Sequence, residues 1–263
     1  MIMMRKLLFG SLLLFATFSY GQVTIREIKE VNPQHKDEKY LFPFVVIPNN
    51  KNVADKINDF LVSDILDVDR RKIKKSIFEN VWSTTGNRMQ RLSDLSYGVI
   101  ENNKKLFSIS ISAEGCGAYC ENFTNYYSFD LKTGNRIKLD SLLSKTGVLM
   151  LLDSINAKRR QMLTTKIKET QDTLKVQSVQ SSKEDKEYYE EMLSLYQECL
   201  EREVTSFEYL RFYITSSDLF VSLDRCSAHY NRNVDEIGEF EFVYKLKNWT
   251  RYLTSFANRV THE

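Results

Sequence analysis

Proline and glycine are scarce in this chain, with three prolines, all ahead of residue 49, and nine glycines in 263 residues. No Pro-rich or Gly/Ser-rich linker is present and no internal repeat of fixed period, so neither tethered modules nor a repeat array is expected. Histidine is scarcer still, at three. His35 lies in a polar loop and His262 beside the C-terminus, positions without preorganisation for proton transfer. The nucleophile elbow GxSxG, the zinc helix HExxH, the P-loop, GxGxxG and CxxC are all missing, and with them the local signatures of the common enzyme classes. No pair of carboxylates stands out for glycoside hydrolysis. Charge of one sign is lacking too: 37 basic against 35 acidic side chains leaves no general basic excess of the kind nucleic-acid binders carry.

Long apolar runs are limited to the N-terminus. Residues 7–18 form a short apolar stretch behind Arg5 and Lys6, and Ser19 and Gly21 place small residues before Gln22. A membrane helix needs about 20 apolar residues; this stretch has instead the form of a secretory signal peptide, residues 1–21, cut after Gly21. No cysteine follows the cut, which argues against a lipoprotein. The mature chain is then formally neutral, lacks a membrane span, and is expected to be periplasmic or secreted. Its length of roughly 240 residues suits one large domain or two small ones.

Four cysteines, Cys116, Cys120, Cys199 and Cys226, in an exported chain point to disulfides. Spacing does not choose among the three pairings. A small staple from Cys116 to Cys120 with Cys199 to Cys226 is one solution; a crossed pairing joining the 116–120 loop to Cys226 is its rival. The alternative chemistry is tetrahedral zinc on Cys116, Cys120, Cys226 and His229, with Cys199 left single. Disulfides are the expected outcome, with no metal and no cofactor.

Periodicity outlines the elements. Residues 39–47 read as a strand that Pro43 assigns to an edge or a bulge. Val53, Ile57, Phe60, Leu61 and Ile65 recur at helical spacing behind asparagine caps. Ile73, Ile77 and Val81 suggest a second helix whose solvated face carries RRKIKK, residues 70–75. In LFSISIS, Phe107, Ile109 and Ile111 alternate with serines, a strand with one buried face. Tyr127, Phe129 and Leu131 form the next, and KTGN, with Gly134, predicts a hairpin into Ile137 and Leu139. From about 147 to 203, apolar stripes without proline predict two long antiparallel helices. FEYLRFYI, LFVSL and EFEFVYKL return to strand, and KNWTRYLTSFA closes as a short helix on Trp249, Leu253 and Phe256. The order β-α-β-β-β-β-α-α-β-β-β-α gives an α+β fold: an antiparallel sheet with packed helices and a long helical-hairpin insertion. Residues 22–94 form an N-terminal α/β part and 95–263 an α+β domain carrying the insertion.

Tyr119, Phe123, Tyr126 and Tyr127 surround the cysteine loop, and an aromatic lip of this kind stacks on sugar rings or anchors a protein partner. The stretches SISISAEGCGAYCENFTNYYSFDLKTGNRIKLDSLL and FYITSSDLFVSLDRCSAHYNRNVDEIGEFEFVYKL resemble a bacterial exported family of unknown function. It is shared by the extracytoplasmic lysozyme-binding region of the anti-sigma factor RsiV and the non-catalytic region of the deacetylase PdaC. The likeness covers roughly residues 95–256, and the N-terminal part resembles the domain that usually precedes it. The sequence contains no anchor, no sigma-binding segment and no deacetylase domain, and its cysteine loop and helical insertion are foreign to the family pattern. The resemblance therefore implies the fold and an extracytoplasmic recognition module, without lysozyme binding. The expected function is a non-enzymatic binding protein of the cell envelope, its partner an envelope protein or a cell-wall glycan. Gly115, Tyr119, Phe123, Tyr126, Arg225, His229 and Tyr230 are the candidate contact residues. A cell-envelope hydrolase or zinc-dependent enzyme is the alternative.

Overall fold

In the computed structural model, residues 23–73, 75–82, 91–117, 119–177 and 182–261 are described; the expected signal peptide, Lys74 and His262 lie outside them. Among the described residues, eight strands and five α-helices follow in the order β1 (Thr24–Val31), β2 (Lys39–Val46), α1 (Lys51–Leu66), β3 (Arg91–Asn102), β4 (Leu106–Cys116), β5 (Cys120–Asp130), α2 (Leu139–Leu142), α3 (Lys145–Gln177), α4 (Lys183–Glu201), β6 (Arg211–Ile214), β7 (Asp218–Leu223), β8 (Phe240–Lys245) and α5 (Ser255–Thr261). The class is α+β, as the periodicities predict. The strands form two sheets, β1-β2-β3-β4-β5 and β6-β7-β8, where one was expected. All pairings are antiparallel except β2 with β3, which meet in parallel only at Tyr40 and Leu95. Strand β3 spans the position at residue 94 where the sequence suggests a division.

Helix α1 starts where Asn50 accepts a hydrogen bond from the Val53 N–H and ends at Asp67 in the left-handed region, φ 54°. Its stripe of Val53, Ile57, Leu61 and Ile65 packs on Phe42, Phe107, Ile109, Ile111, Tyr127 and Phe129 in one core. Asn58 lies in that stripe and is fully buried. Its amide accepts from the Val45 N–H and donates to the Val45 carbonyl, both at 2.8 Å, so a side chain completes β2 where β3 does not reach. That gap also accommodates Pro43, which pairs with Glu27 of β1 on the other side. The edge of the sheet next to β2 is β1, which sequence reading misses because its charged residues break the apolar alternation.

The second helix expected over Ile73, Ile77 and Val81 is a single 3₁₀ turn, Arg70–Lys72, with a separate hydrogen-bonded turn over residues 77–81. Asp69 accepts from the Arg71 N–H and side chain, closing the turn locally. Phe78 and Val81 are buried there, with Phe78 ringed by Tyr40, Phe42 and Trp82. Arg70 of the basic run pairs with Asp55 and Asp59 at 3.0 and 2.5 Å.

Helix α3, 33 residues and about 50 Å long, turns back along α4, which opens on a Ser182–Asp185 capping box. This is the expected helical hairpin. Leu151, Ile155, Leu163, Met192, Leu195 and Tyr196 join β6–β8, α2 and α5 in a second core. Arg159 of α3 is buried and donates to the Arg202 and Cys199 carbonyls, satisfying the open C-terminus of α4 with a positive charge where the helix dipole favours one. The KTGN turn forms with Gly134 at φ 72°, where a Cβ would lie 2.9 Å from the Val53 carbonyl. The strand expected after it shrinks to one bridge, Phe129 with Arg136, because Ile137 and Leu139 turn into the second core. The closing helix is likewise split into 3₁₀ turns at Leu246–Asn248 and Thr250–Tyr252 ahead of α5.

The serine face of β4 is not solvated as one-sided patterning predicts. Ser108 and Ser128 stand opposite each other on β4 and β5 and are buried beneath β6. The Ser108 hydroxyl donates to the Ile214 carbonyl at 2.6 Å, the Ile214 N–H donates to Ser128 Oγ at 3.1 Å, and the two hydroxyls are 2.8 Å apart.

Replacing Asn58 by leucine should strand the buried N–H and C=O of Val45 at a cost of about 2–4 kcal/mol. Urea unfolding should show the midpoint falling with the slope unchanged.

Candidate recognition edge

The β4–β5 hairpin closes on Cys116 and Cys120, register partners joined by a disulfide. Within it the Gly117 N–H donates to the Tyr119 carbonyl at 2.9 Å, and the Tyr119 side chain projects outward, 65% exposed. The second predicted loop follows β7. Cys226 is bonded to Cys199 near the end of α4, so the uncrossed pairing is the one realised. Farther along, Asp235 gathers the loop: it accepts from the Ser227 N–H and hydroxyl, from the Gly238 N–H, and from the Tyr196 hydroxyl of α4. The Ile237 N–H in turn donates to the Tyr196 oxygen at 3.1 Å. A disulfide and a buried carboxylate thus fix an irregular segment whose backbone has no sheet to satisfy it.

Anchored so, the loop brings His229 onto Tyr119, ring centroids 4.1 Å apart and 23° from parallel. Beside this stack Arg232 pairs with Glu121, a residue 111 positions away in sequence. Tyr230 stands free at 82% exposure. The structure therefore brings Tyr119 and His229 together, with Tyr230 exposed beside His229 in the chain and Arg225 half-buried in the same loop. It separates the others. Gly115 is a buried ladder residue opposite Glu121. Phe123 packs against the first core. Tyr126 lies among Tyr213 and Phe220, 5.2 and 5.3 Å away. Glu121, Arg232, Tyr196 and Asp235 carry no local signal in the sequence, since each acts on a partner distant along the chain.

Among the described residues, Glu114, Cys116 and Cys120 have ligand atoms within 4.8 Å of one another. The two sulfurs are bonded to each other, and Cys226 to Cys199, so the thiolates of the zinc alternative are consumed. Among those same residues, no helix is long and apolar enough to cross a membrane.

Burial pushes the Tyr196 hydroxyl up to about 12, the Asp235 charge adding to it while the Ile237 N–H works the other way. The folded chain then holds this proton between pH 10 and 12 while the unfolded chain releases it, so stability falls as pH rises through that window. Tyr196→Phe should flatten the alkaline decline by about 2 kcal/mol, measured by denaturation at pH 9, 10.5 and 12. Thiol titration of the denatured, unreduced protein should find no free cysteine. Replacing Cys199 and Cys226 by serine should cost about 3.5 kcal/mol, and the same change at Cys116 and Cys120 about 2 kcal/mol, because the first bridge closes the longer loop; thermal unfolding of the two double variants checks the order.

No family model matches the chain, and no curated protein matches it. Among solved structures it is similar to a DUF3298 family member from Bacteroides fragilis, with a TM-score of 0.52 and 11% identity over 92% of this chain and 97% of that one. It is also similar to a DUF3298 family protein from Pseudomonas aeruginosa, with a TM-score of 0.48 and 12% identity over 89% and 95% of the two chains. At 11% identity the first likeness is one of architecture, and the two-sheet α+β fold described above is of the DUF3298 type.

Proposed function

We propose that the chain is an exported, non-enzymatic recognition protein of the cell envelope, and that the edge formed by Tyr119, His229 and Tyr230 contacts its partner, an envelope protein or a cell-wall glycan. The observation that carries this reading is the stack of Tyr119 on His229. Two loops remote in sequence are each covalently braced, and between them they hold aromatic surface in water. Exposed aromatic rings held in place lose little entropy on binding, and such rings supply most of the energy at recognition surfaces. Arg225, half-buried in the same loop, is a candidate donor for hydroxyl or carbonyl groups, while Arg232 is engaged by Glu121.

Export rests on the form of residues 1–21 and on two disulfides, which persist in oxidising compartments. The resemblance to the extracytoplasmic regions of RsiV and PdaC supports the same assignment, with residues 95–263 as the recognition part and 22–94 as its partner. In co-sedimentation with purified peptidoglycan and chemical cross-linking in envelope fractions, Tyr119→Ala combined with Tyr230→Ala should reduce capture at least tenfold. Both side chains are exposed, so the double variant should keep the parent melting temperature. Undiminished capture by a folded double variant overturns the assignment of this edge.

A further inference from the structure

At the far end of β5, about 30 Å from the cysteine loop, a cleft of about 640 Å³ opens between α1, the KTGN turn and α5. Its walls are the half-buried rings of Phe60 and Phe256. Its charged groups are Asp130, Arg136, Lys138 and Arg259. Asp130 is buried and fully engaged. Arg259 grips it with two nitrogens at 3.1 and 2.9 Å, the Lys132 N–H donates at 3.0 Å, and the Thr133 hydroxyl at 2.9 Å. Burial alone raises its carboxyl; these donors outweigh burial and hold it below the ordinary range. That pair is electrically closed.

Arg136 and Lys138 are different. They flank buried Ile137 in an extended segment, so both face outward on the same side. Among the described residues no carboxylate pairs with either. The Arg136 guanidinium lies over the rings of Phe60 and Tyr127, 5.4 and 5.2 Å from their centroids, which holds its planar fork in one orientation without neutralising it. Asp64 of α1 is engaged elsewhere, accepting the Tyr127 hydroxyl at 2.6 Å, and Asp130 is taken up by Arg259. The cleft therefore keeps two unpaired positive charges, one of them preoriented, against aromatic walls. Its volume falls in the range of small-molecule sites.

We propose that this cleft binds a small organic carboxylate, its oxyanion held by Arg136 and Lys138 and its apolar or ring portion lying against Phe60 and Phe256. A guanidinium fork matches two carboxylate oxygens at once, and the neighbouring ammonium supplies a point charge. The site is separate from the Tyr119–His229 edge and stands or falls independently of it.

The purified chain titrated with phenylacetate, phenylacetamide and inorganic phosphate, with the Arg136 Nε–H and the Phe60 ring followed by NMR, tests the assignment. Phenylacetate should shift both sets of resonances saturably, with Kd on the order of 1 mM. The amide, equal in shape but uncharged, should shift neither, and phosphate should displace phenylacetate while binding at least tenfold more weakly. Arg136→Gln with Lys138→Gln should abolish saturation while leaving the melting temperature unchanged, and Tyr119→Ala should have no effect. Absence of a saturable phenylacetate shift, equal response to the amide, phosphate binding as tightly as phenylacetate, or retained binding in the glutamine double variant would each overturn it.

Discussion

Three groups, the hydroxyls of Ser108 and Ser128 and the backbone of Ile214, hold the two halves of the molecule in register. Ser108 donates to the Ile214 carbonyl and Ser128 accepts from the Ile214 N–H. The remaining proton, on Ser128, then points to Ser108, closing a ring in which every donor is used. All three residues are buried, so a missing member would leave polar groups in a dry interface, where they cost far more than a made hydrogen bond contributes. Through this ring the short strand β6 lies across the face of β4 and β5, and each sheet keeps its own apolar core on its outer side.

Much of the remaining architecture follows from how that junction is extended. The second core needs more apolar cover than three short strands provide, and α3 and α4 supply it along their inner stripes. Arg159 and the Cys199–Cys226 bridge meet at the end of α4, the guanidinium lying 3.0 Å from the Cys199 sulfur. The helix terminus, the disulfide and the loop after β7 thus form a single braced unit. Because Asp235 and Tyr196 tie the same loop to the same helix, Tyr119 and His229 meet on a rigid support, as a surface requiring fixed aromatic rings demands.

Strand β5 connects two surfaces of different character. At its start lies the cysteine loop, aromatic and exposed; at its end Asp130 anchors the cleft beneath Arg136. The first has a stack and an ion pair already formed between loops, and is suited to a broad contact. The second is concave and keeps two unpaired cations, one of them, Arg136, over aromatic rings, and is suited to a small anion. Neither surface is made by one element, and each depends on β5 being continuous from Cys120 to Asp130.

Local pattern was enough to read the α+β class, helix α1, the helical hairpin, the strands around LFSISIS and the KTGN turn, because each rests on spacing within about a dozen residues. The cysteines and the aromatic loop were likewise visible as a candidate edge. Where local pattern and structure differ, a distant contact overrules local preference: Ser108 of the serine face is buried because β6 covers it, Pro43 is interior to a sheet because β3 stops short of it, and a turn replaces the helix so that Phe78 fills an aromatic core. The meeting of Tyr119 with His229, the choice of disulfide partners and the cleft around Arg136 belong to tertiary structure alone. Periodicity encodes which face of an element seeks cover, whereas which remote group provides that cover is settled only when the whole chain packs.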